Sequence, residues 1–145
     1  MSASLPLRKP RKPAPFKLTA ETVREWPRHR QIADVLAIEL APAGRVSING
    51  VCWFSIDLSS YMGNIPYTHL RRGVVAGVYD VFVLHRGRAH WLEVKADDGE
   101  LSYPQRELGA ALLGAGGRIG IARSAKEVLD LLDSWGIPRA RRTAL

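Results

Sequence analysis

The sequence predicts a mixed α/β domain, on three observations. Its 145 residues are enough for one buried core and correspond to one ordinary domain. Apolar residues make up 46% of the chain and charged residues 24%, values of a globular rather than a disordered protein. Helical and strand periodicities alternate in the order helix, strands, helix, strand, helix. No internal repeat or second domain is visible.

Residues 1–17 carry four prolines among basic residues and are expected to form a flexible or polyproline-like arm. The folded domain is expected over 18–138, followed by a basic tail, 139–145. Thr19 is placed to cap a short helix and Pro27 to open the main one. Ile32, Val35, Leu36 and Leu40 give that helix its apolar face, and Pro42 and Gly44 end it. Residues 45–58 read as strand-rich, turning at Asn49-Gly50. Residues 59–77 are polar, aromatic and glycine-containing, and read as a long ordered loop. Two strands follow, 78–84 and 89–96, joined through His85-Arg86-Gly87-Arg88. Ser102 opens a helix with Leu108, Leu112 and Ala115 as its inward stripe, closed by Gly116-Gly117. Residues 118–122 form a short strand. Ser124 and Glu127 make a capping box for a last helix that runs to about Trp135 and is stopped by Gly136 and Pro138.

The formal charge of +7 is unevenly placed. Residues 1–17 hold five bases (Arg8, Lys9, Arg11, Lys12, Lys17) and no acid, and the tail adds Arg139, Arg141 and Arg142. Between them 13 bases face 14 acids, so the domain itself is near neutral. Basic tails suit a polyanionic partner, because each phosphate contact releases counterions; equally, they serve as solubilising segments. No apolar run approaches the ~18 residues of a membrane span, and the N-terminus lacks a signal-peptide core. The single cysteine, Cys52, rules out an internal disulfide framework and a multi-cysteine metal cluster. A soluble protein of the cytoplasm is expected, and the Ala/Arg/Gly-rich usage hints at a bacterial or phage-infected cell.

The informative stretch is 73–105. Strand periodicity puts Trp91, Glu93 and Lys95 on one face and Leu92 and Val94 on the other. Alone, such a triplet is ordinarily the wet face of a sheet. With Arg86-Gly87 as a two-residue loop, however, Asp80 falls directly opposite Glu93, where facing Cβ atoms are about 4.5–5.5 Å apart and like charges repel. Asp80 also heads the apolar run Val81-Phe82-Val83-Leu84, where solvent relieves little of that repulsion. Two such carboxylates ask for a cation, and hard ions such as Mg²⁺ use one or two carboxylates together with waters and phosphate oxygens. A one-residue bulge would turn Glu93 to the other face instead. Lys95 shares the face of Glu93. Its ammonium either orients an attacking water and offsets charge on a scissile phosphate, or simply neutralises the two acids. Gln105 closes the capping box Ser102-x-x-Gln105, yet is also in helical register with Leu108 and Leu112 and so directed at the sheet. Both roles stay open at this point.

Gly77-Val78-Tyr79-Asp80, then Glu93-Val94-Lys95, then Gly99-Glu100-Leu101-Ser102-Tyr103-Pro104-Gln105 resemble the virus-type replication-repair nuclease (VRR-NUC) domain of the PD-(D/E)XK superfamily. Arg72-Gly73-Val74-Val75-Ala76-Gly77 resembles the glycine-rich approach to that family's metal-binding Asp. The likeness covers roughly residues 70–136. The (D/E)XK triplet is common by chance, and its combination with the upstream Asp and the downstream Ser-x-x-Gln is much less so. The resemblance implies a restriction-endonuclease-like core, a mixed central sheet flanked by helices. It implies that Asp80 and Glu93 ligate Mg²⁺ or Mn²⁺, that the backbone carbonyl of Val94 completes the protein ligands, that Lys95 assists the nucleophilic water and that Gln105 supports the site. The implied reaction is metal-dependent hydrolysis of DNA phosphodiesters in branched, flapped or junction DNA, by a homodimer, in replication, repair or recombination. Two positions depart from the family pattern. Tyr79 stands where the family usually has proline. Gln31 resembles a glutamine of the family's first helix, but Pro27 and Arg28 occupy the places where its acid is expected, so Glu25 or Glu39 is the candidate replacement as a metal ligand. A solvated glutamate is the plainer reading of either.

DNA contacts are expected from Arg8, Lys9, Arg11 and Lys12 in the arm, from Arg71 and Arg72 before the site, and from Arg139, Arg141 and Arg142 in the tail. For Arg71 and Arg72 an ordinary loop pair is equally open. Trp53, Tyr61 and Tyr67 are candidates either for stacking on exposed bases or for the core. His29, His69, His85 and His90 show no paired metal spacing and are expected at the surface. Asp97 and Asp98 read as a solvated turn. Two rival functions remain: a non-catalytic DNA-binding module on a degenerate nuclease fold, and a nuclease active only with a protein partner.

Overall fold

The computed structural model describes residues 20–57 and 64–140, with side chains from Pro27 onward in the first helix. The element order is α1 (Ala20–Glu39), β1 (Val51–Ser55), α2 (Tyr67–Leu70), β2 (Val81–His85), β3 (Arg88–Val94), α3 (Tyr103–Gly114), β4 (Arg118–Ala122) and α4 (Ala125–Ser134). The strands form one mixed sheet in the order β1-β2-β3-β4. The first three are antiparallel neighbours, and β4 runs parallel to β3 because α3 carries the chain back across the sheet. The mixed α/β class read from the sequence is therefore the one observed.

Pairing puts the branched residues of neighbouring strands on one face. Val51, Trp53, Val81, Val83, Leu92 and Val94 pack there beneath Ile32 and Leu36 of α1, Leu40 just past its end, and Val128, Leu129 and Leu132 of α4. Gly120 of β4 lets α4 come close, since a Cβ there would stand 2.9 Å from the Leu131 methyls and from Trp135. α3 covers the opposite face beside β4, where Gly109 lies against Ile119. Farther across that face, Phe54, Phe82 and Trp91 form a cross-strand row, with ring centroids 5.1 and 4.8 Å apart.

Several local expectations need correcting. Pro27, expected to open the main helix, lies inside α1. A proline there forfeits one helical hydrogen bond, a cost of about 3 kcal/mol, and the buried stripe Ile32-Leu36-Leu40 outweighs it. Within the expected loop 59–77, residues 67–70 form the single turn α2, while 58–63 lie outside the described residues. In the cap of α4, Ser124 Oγ accepts from the Glu127 N–H at 3.1 Å, but the Glu127 carboxylate accepts from Arg123, one residue earlier than a capping box requires. Ala115, expected in the inward stripe of α3, is exposed; the buried residue of that helix is Gly109. The turn expected at Asn49-Gly50 is present, with Gly50 at φ +76° and Ser47 Oγ accepting from the Asn49 and Val51 N–H groups. Among the described residues no helix is long and apolar enough to cross a membrane.

Candidate active site

The β2–β3 turn sets the site. Arg86 and Gly87 both hold left-handed φ values, +50° and +74°, which make a tight two-residue hairpin loop. His85 then pairs with Arg88 and the ladder runs unbulged to Val81↔Leu92. The next position brings Asp80 level with Glu93. There the regular pairing ends, and the Asp80 Oδ2 atom accepts from the Val94 N–H at 2.8 Å.

Glu93 is 4% exposed. Its Oε1 accepts from Gln105 Nε2 at 2.6 Å and lies 3.3 Å from Lys95 Nζ. Its Oε2 is buried and has no hydrogen-bond partner. Burial, reinforced by the Asp80 charge, pushes the Glu93 pKa up to about 8 despite Lys95 and Gln105. Burial also raises Asp80, against the opposing pull of the Val94 amide, His29, Lys95 and a hydrogen bond with the Glu93 carboxyl group. Lys95 is itself buried, so one ammonium faces two desolvated carboxyl groups.

Gln105 performs both roles left open by the sequence. Its Oε1 accepts from the Ser102 N–H and its own N–H donates to Ser102 Oγ, completing the capping box, while Nε2 holds Glu93. The start of α3 is pressed against the segment before Asp80. Gly77 holds φ +82°, and a Cβ there would collide with the backbone of Pro104, so this position requires glycine twice over. Tyr79 is fully buried, and its hydroxyl donates to the Gln105 carbonyl at 3.2 Å in the space that Gly109 leaves.

α1 closes the other side. Arg28 Nη1 donates to the Lys95 carbonyl and to Asp97 Oδ1, both at 3.0 Å, and His29 Nε2 is hydrogen-bonded to Ser55 Oγ at 3.3 Å. Tyr79, Arg28 and His29 were not selected from the sequence, because their partners lie 26 residues or more away along the chain. Glu25 stands one turn before His29 on α1; its side chain lies outside the described residues. Glu39 is corrected. It is eleven residues past Arg28, roughly 16 Å along the helix, buried and ion-paired with Arg139 at 3.6 Å.

The expected DNA contacts divide three ways. Arg71 and Arg72 are exposed at the end of α2. Arg139 is corrected: its side chain is 12% exposed and is taken up by Glu39 and Asp133. Arg8, Lys9, Arg11, Lys12, Arg141 and Arg142 lie outside the described residues, as does Tyr61. Trp53 belongs to the core, its indole donating to the Ala41 carbonyl, and Tyr67 is exposed. Asp97 is 86% exposed and paired with Arg28. His90, expected at the surface, is 2% exposed, because it continues the inward face of Leu92 and Val94.

Among the described residues no group of three or more His, Cys, Asp or Glu side chains is gathered for a metal ion. The residues nonetheless suit a hard divalent cation. Asp80 and Glu93 are two desolvated carboxylates, one with an unpartnered oxygen, and Mg²⁺ needs only one or two carboxylates from the protein. Asp80 is half-buried, which leaves the pair open to solvent on that side. No family model matches the chain, and no curated protein or solved structure matches it significantly.

Proposed function

We propose that this protein is a divalent-metal-dependent DNA endonuclease of the VRR-NUC kind, on a PD-(D/E)XK-like core. The observation that carries the reading is the desolvated Asp80–Glu93 pair, with a buried Glu93 oxygen that makes no hydrogen bond and Lys95 beside it. Asp80, Glu93 and the Val94 carbonyl would hold Mg²⁺ or Mn²⁺. That ion, when bound, supplies Lewis-acid activation and charge stabilisation at the scissile phosphate. Gln105 fixes one Glu93 oxygen and leaves the other for the cation. Lys95 stands 3.3 Å from Glu93, where its ammonium can orient an attacking water and offset negative charge gathering on the phosphate. Arg28 ties the Lys95 backbone to α1 and so holds the strand end on which the lysine sits. Selectivity for branched, flapped or junction DNA and a homodimeric state follow from the family resemblance.

A second reading, a DNA-binding module on a degenerate nuclease fold, draws support from Pro27 and Arg28, which stand on α1 where an acid was expected, Arg28 bonding the Lys95 carbonyl instead. One assay separates the two: cleavage of labelled linear, flapped and four-way-junction DNA with Mg²⁺, Mn²⁺ or EDTA. Metal-dependent cutting that falls by about 10²–10³-fold or more in Glu93→Ala and Lys95→Ala is expected. Undiminished cutting by Glu93→Ala would overturn the mechanism, and DNA binding without cutting on every substrate would favour the second reading.

A further inference from the structure

The end of the β2–β3 hairpin opposite the carboxylates opens on a second feature. A cavity of about 380 Å³ is lined there by His85, Arg86, Arg88, His90, Arg118 and Trp135, with no carboxylate in its wall. Arg86 and Arg88 are exposed, and neither has an ion-pair partner among the described residues. Arg86 also occupies a left-handed turn position that ordinarily goes to Asn or Gly, so an arginine is held there against local preference. Arg118, the cross-strand neighbour of His90, donates from Nη1 to the Trp135 carbonyl at 3.1 Å, which anchors its guanidinium at the wall.

His90 supplies an independent observation. Its Nδ1–H donates to the Val83 carbonyl at 3.2 Å, and its ring lies 5.0 Å from that of Trp135, so its orientation is fixed. The other nitrogen, Nε2, is buried and has no hydrogen-bond partner. Burial, helped by Arg118, holds the His90 pKa below its ordinary value against the Val83 and Arg88 backbone; in the neutral ring that donates from Nδ1, Nε2 is the acceptor. A side chain 98% withdrawn from solvent does not give up a hydrogen bond without cost, about 1–3 kcal/mol.

We propose that this cavity is a phosphate-binding site, distinct from the carboxylate pair, that grips the sugar-phosphate backbone of a nucleic acid. Three guanidinium groups present forked donors that match phosphate oxygens and are otherwise left to repel one another. A phosphate hydroxyl, or a water shared between Nε2 and a phosphate oxygen, meets the need of His90. The five residue steps from Arg88 to Glu93 separate the two sites by about 17 Å, the length of roughly five base pairs of a duplex. The choice of nucleic acid as the source of the phosphate rests on the nuclease reading; the phosphate site itself does not.

The test is made without metal and without reading cleavage, so an inactive protein would still answer it. A labelled duplex of about 20 base pairs is titrated by fluorescence anisotropy at several salt concentrations. In parallel, inorganic phosphate and pyrophosphate are titrated while the His90 ring and Trp135 indole resonances are followed. Wild type is compared with Arg86→Ala/Arg88→Ala, two exposed positions whose replacement leaves the core intact, and with Arg118→Gln. Phosphate-induced shifts at His90 and Trp135 that vanish in the double variant are expected. Duplex affinity should drop about tenfold, and the salt slope should fall by about 2 for the two lost contacts. Lost phosphate shifts with unchanged duplex affinity would overturn the nucleic-acid source and leave a site for a free phosphate or nucleotide. Absence of phosphate-induced shifts in wild type, with equal duplex binding by every variant, would overturn the site altogether.

Discussion

The two ends of the β2–β3 hairpin gather unlike groups, carboxyl groups at one and arginines at the other. At one end Asp80 and Glu93 share a single buried ammonium, Lys95. At the other, three arginines and two histidines line a wall without a carboxylate. The two ends stand about 17 Å apart along the strands, far beyond ion-pairing distance, so neither supplies a direct partner to the other. One two-residue turn generates both: it sets the register that brings Asp80 level with Glu93, and it displays Arg86 and Arg88 at the tip. The lesson is that one strand pair can hold two unlike sites, one suited to a cation and one to an anion, when its register sets them at opposite ends.

The largest expected effect tests whether the acid end is truly deficient. The folded pKa of Glu93, about 8, lies above its ordinary value near 4.5, and Asp80 is shifted in the same direction. A raised carboxyl pKa stabilises the fold fully below the unfolded value, and that contribution is lost as pH rises through the folded value. The metal-free protein should therefore lose stability between about pH 5 and pH 9, by at most roughly 4–5 kcal/mol from Glu93. Glu93→Gln should flatten the profile and stabilise the metal-free protein at pH 8. Chemical denaturation across that pH range, with and without Mg²⁺, measures all three quantities. A flat wild-type profile would mean that Lys95 already balances the pair and that the comparison between the ends fails.

Both ends were only partly legible in the sequence, and the difference is one of range. The Arg86-Gly87 turn could be read because Gly87 falls between two strand-like runs, and the facing of Asp80 and Glu93 follows from that turn by counting. β4 occupies the expected residues 118–122 for the same reason. Tyr79 was not legible, because its partners Gln105 and Gly109 belong to another helix and leave no periodic mark around residue 79. Pro27 misled, because a local helix breaker was overruled by packing that the local sequence does not show. His90 was readable and missed: the alternation through Leu92 and Val94 places it on the inward face, a stronger signal than the usual surface preference of histidine.

A smaller effect sharpens which arginines are available to ligands. Arg139 lies in a basic segment, as do Arg86 and Arg88, yet its guanidinium is consumed by Glu39 and Asp133. Removing one partner of a buried ion pair strands the other charge, which costs about 3–5 kcal/mol in dry surroundings; the long 3.6 Å contact with Glu39 favours the lower part of that range. Arg139→Ala should lower unfolding stability by about 3 kcal/mol and leave duplex affinity within twofold of wild type. The reverse pattern, weakened binding with normal stability, would return Arg139 to the nucleic-acid surface and blur the distinction between a structural cation and an open one.

The smallest effect asks how the acid end is held in place. Tyr79 hydrogen-bonds the Gln105 carbonyl from beneath, but the capping box and the Gly77–Pro104 contact hold the same turn of α3. Tyr79→Phe removes one neutral hydrogen bond and keeps the ring, so a loss of about 1 kcal/mol is expected. Because Gln105 keeps its grip on Glu93 through Nε2, the midpoint of the pH–stability profile should move by less than half a unit, on the order of 0.5 kcal/mol. A shift of a full unit or more would show that the tyrosine, rather than the cap, sets the position of Gln105. The acid end would then hang on one long-range contact, whereas the basic end is fixed by its own turn.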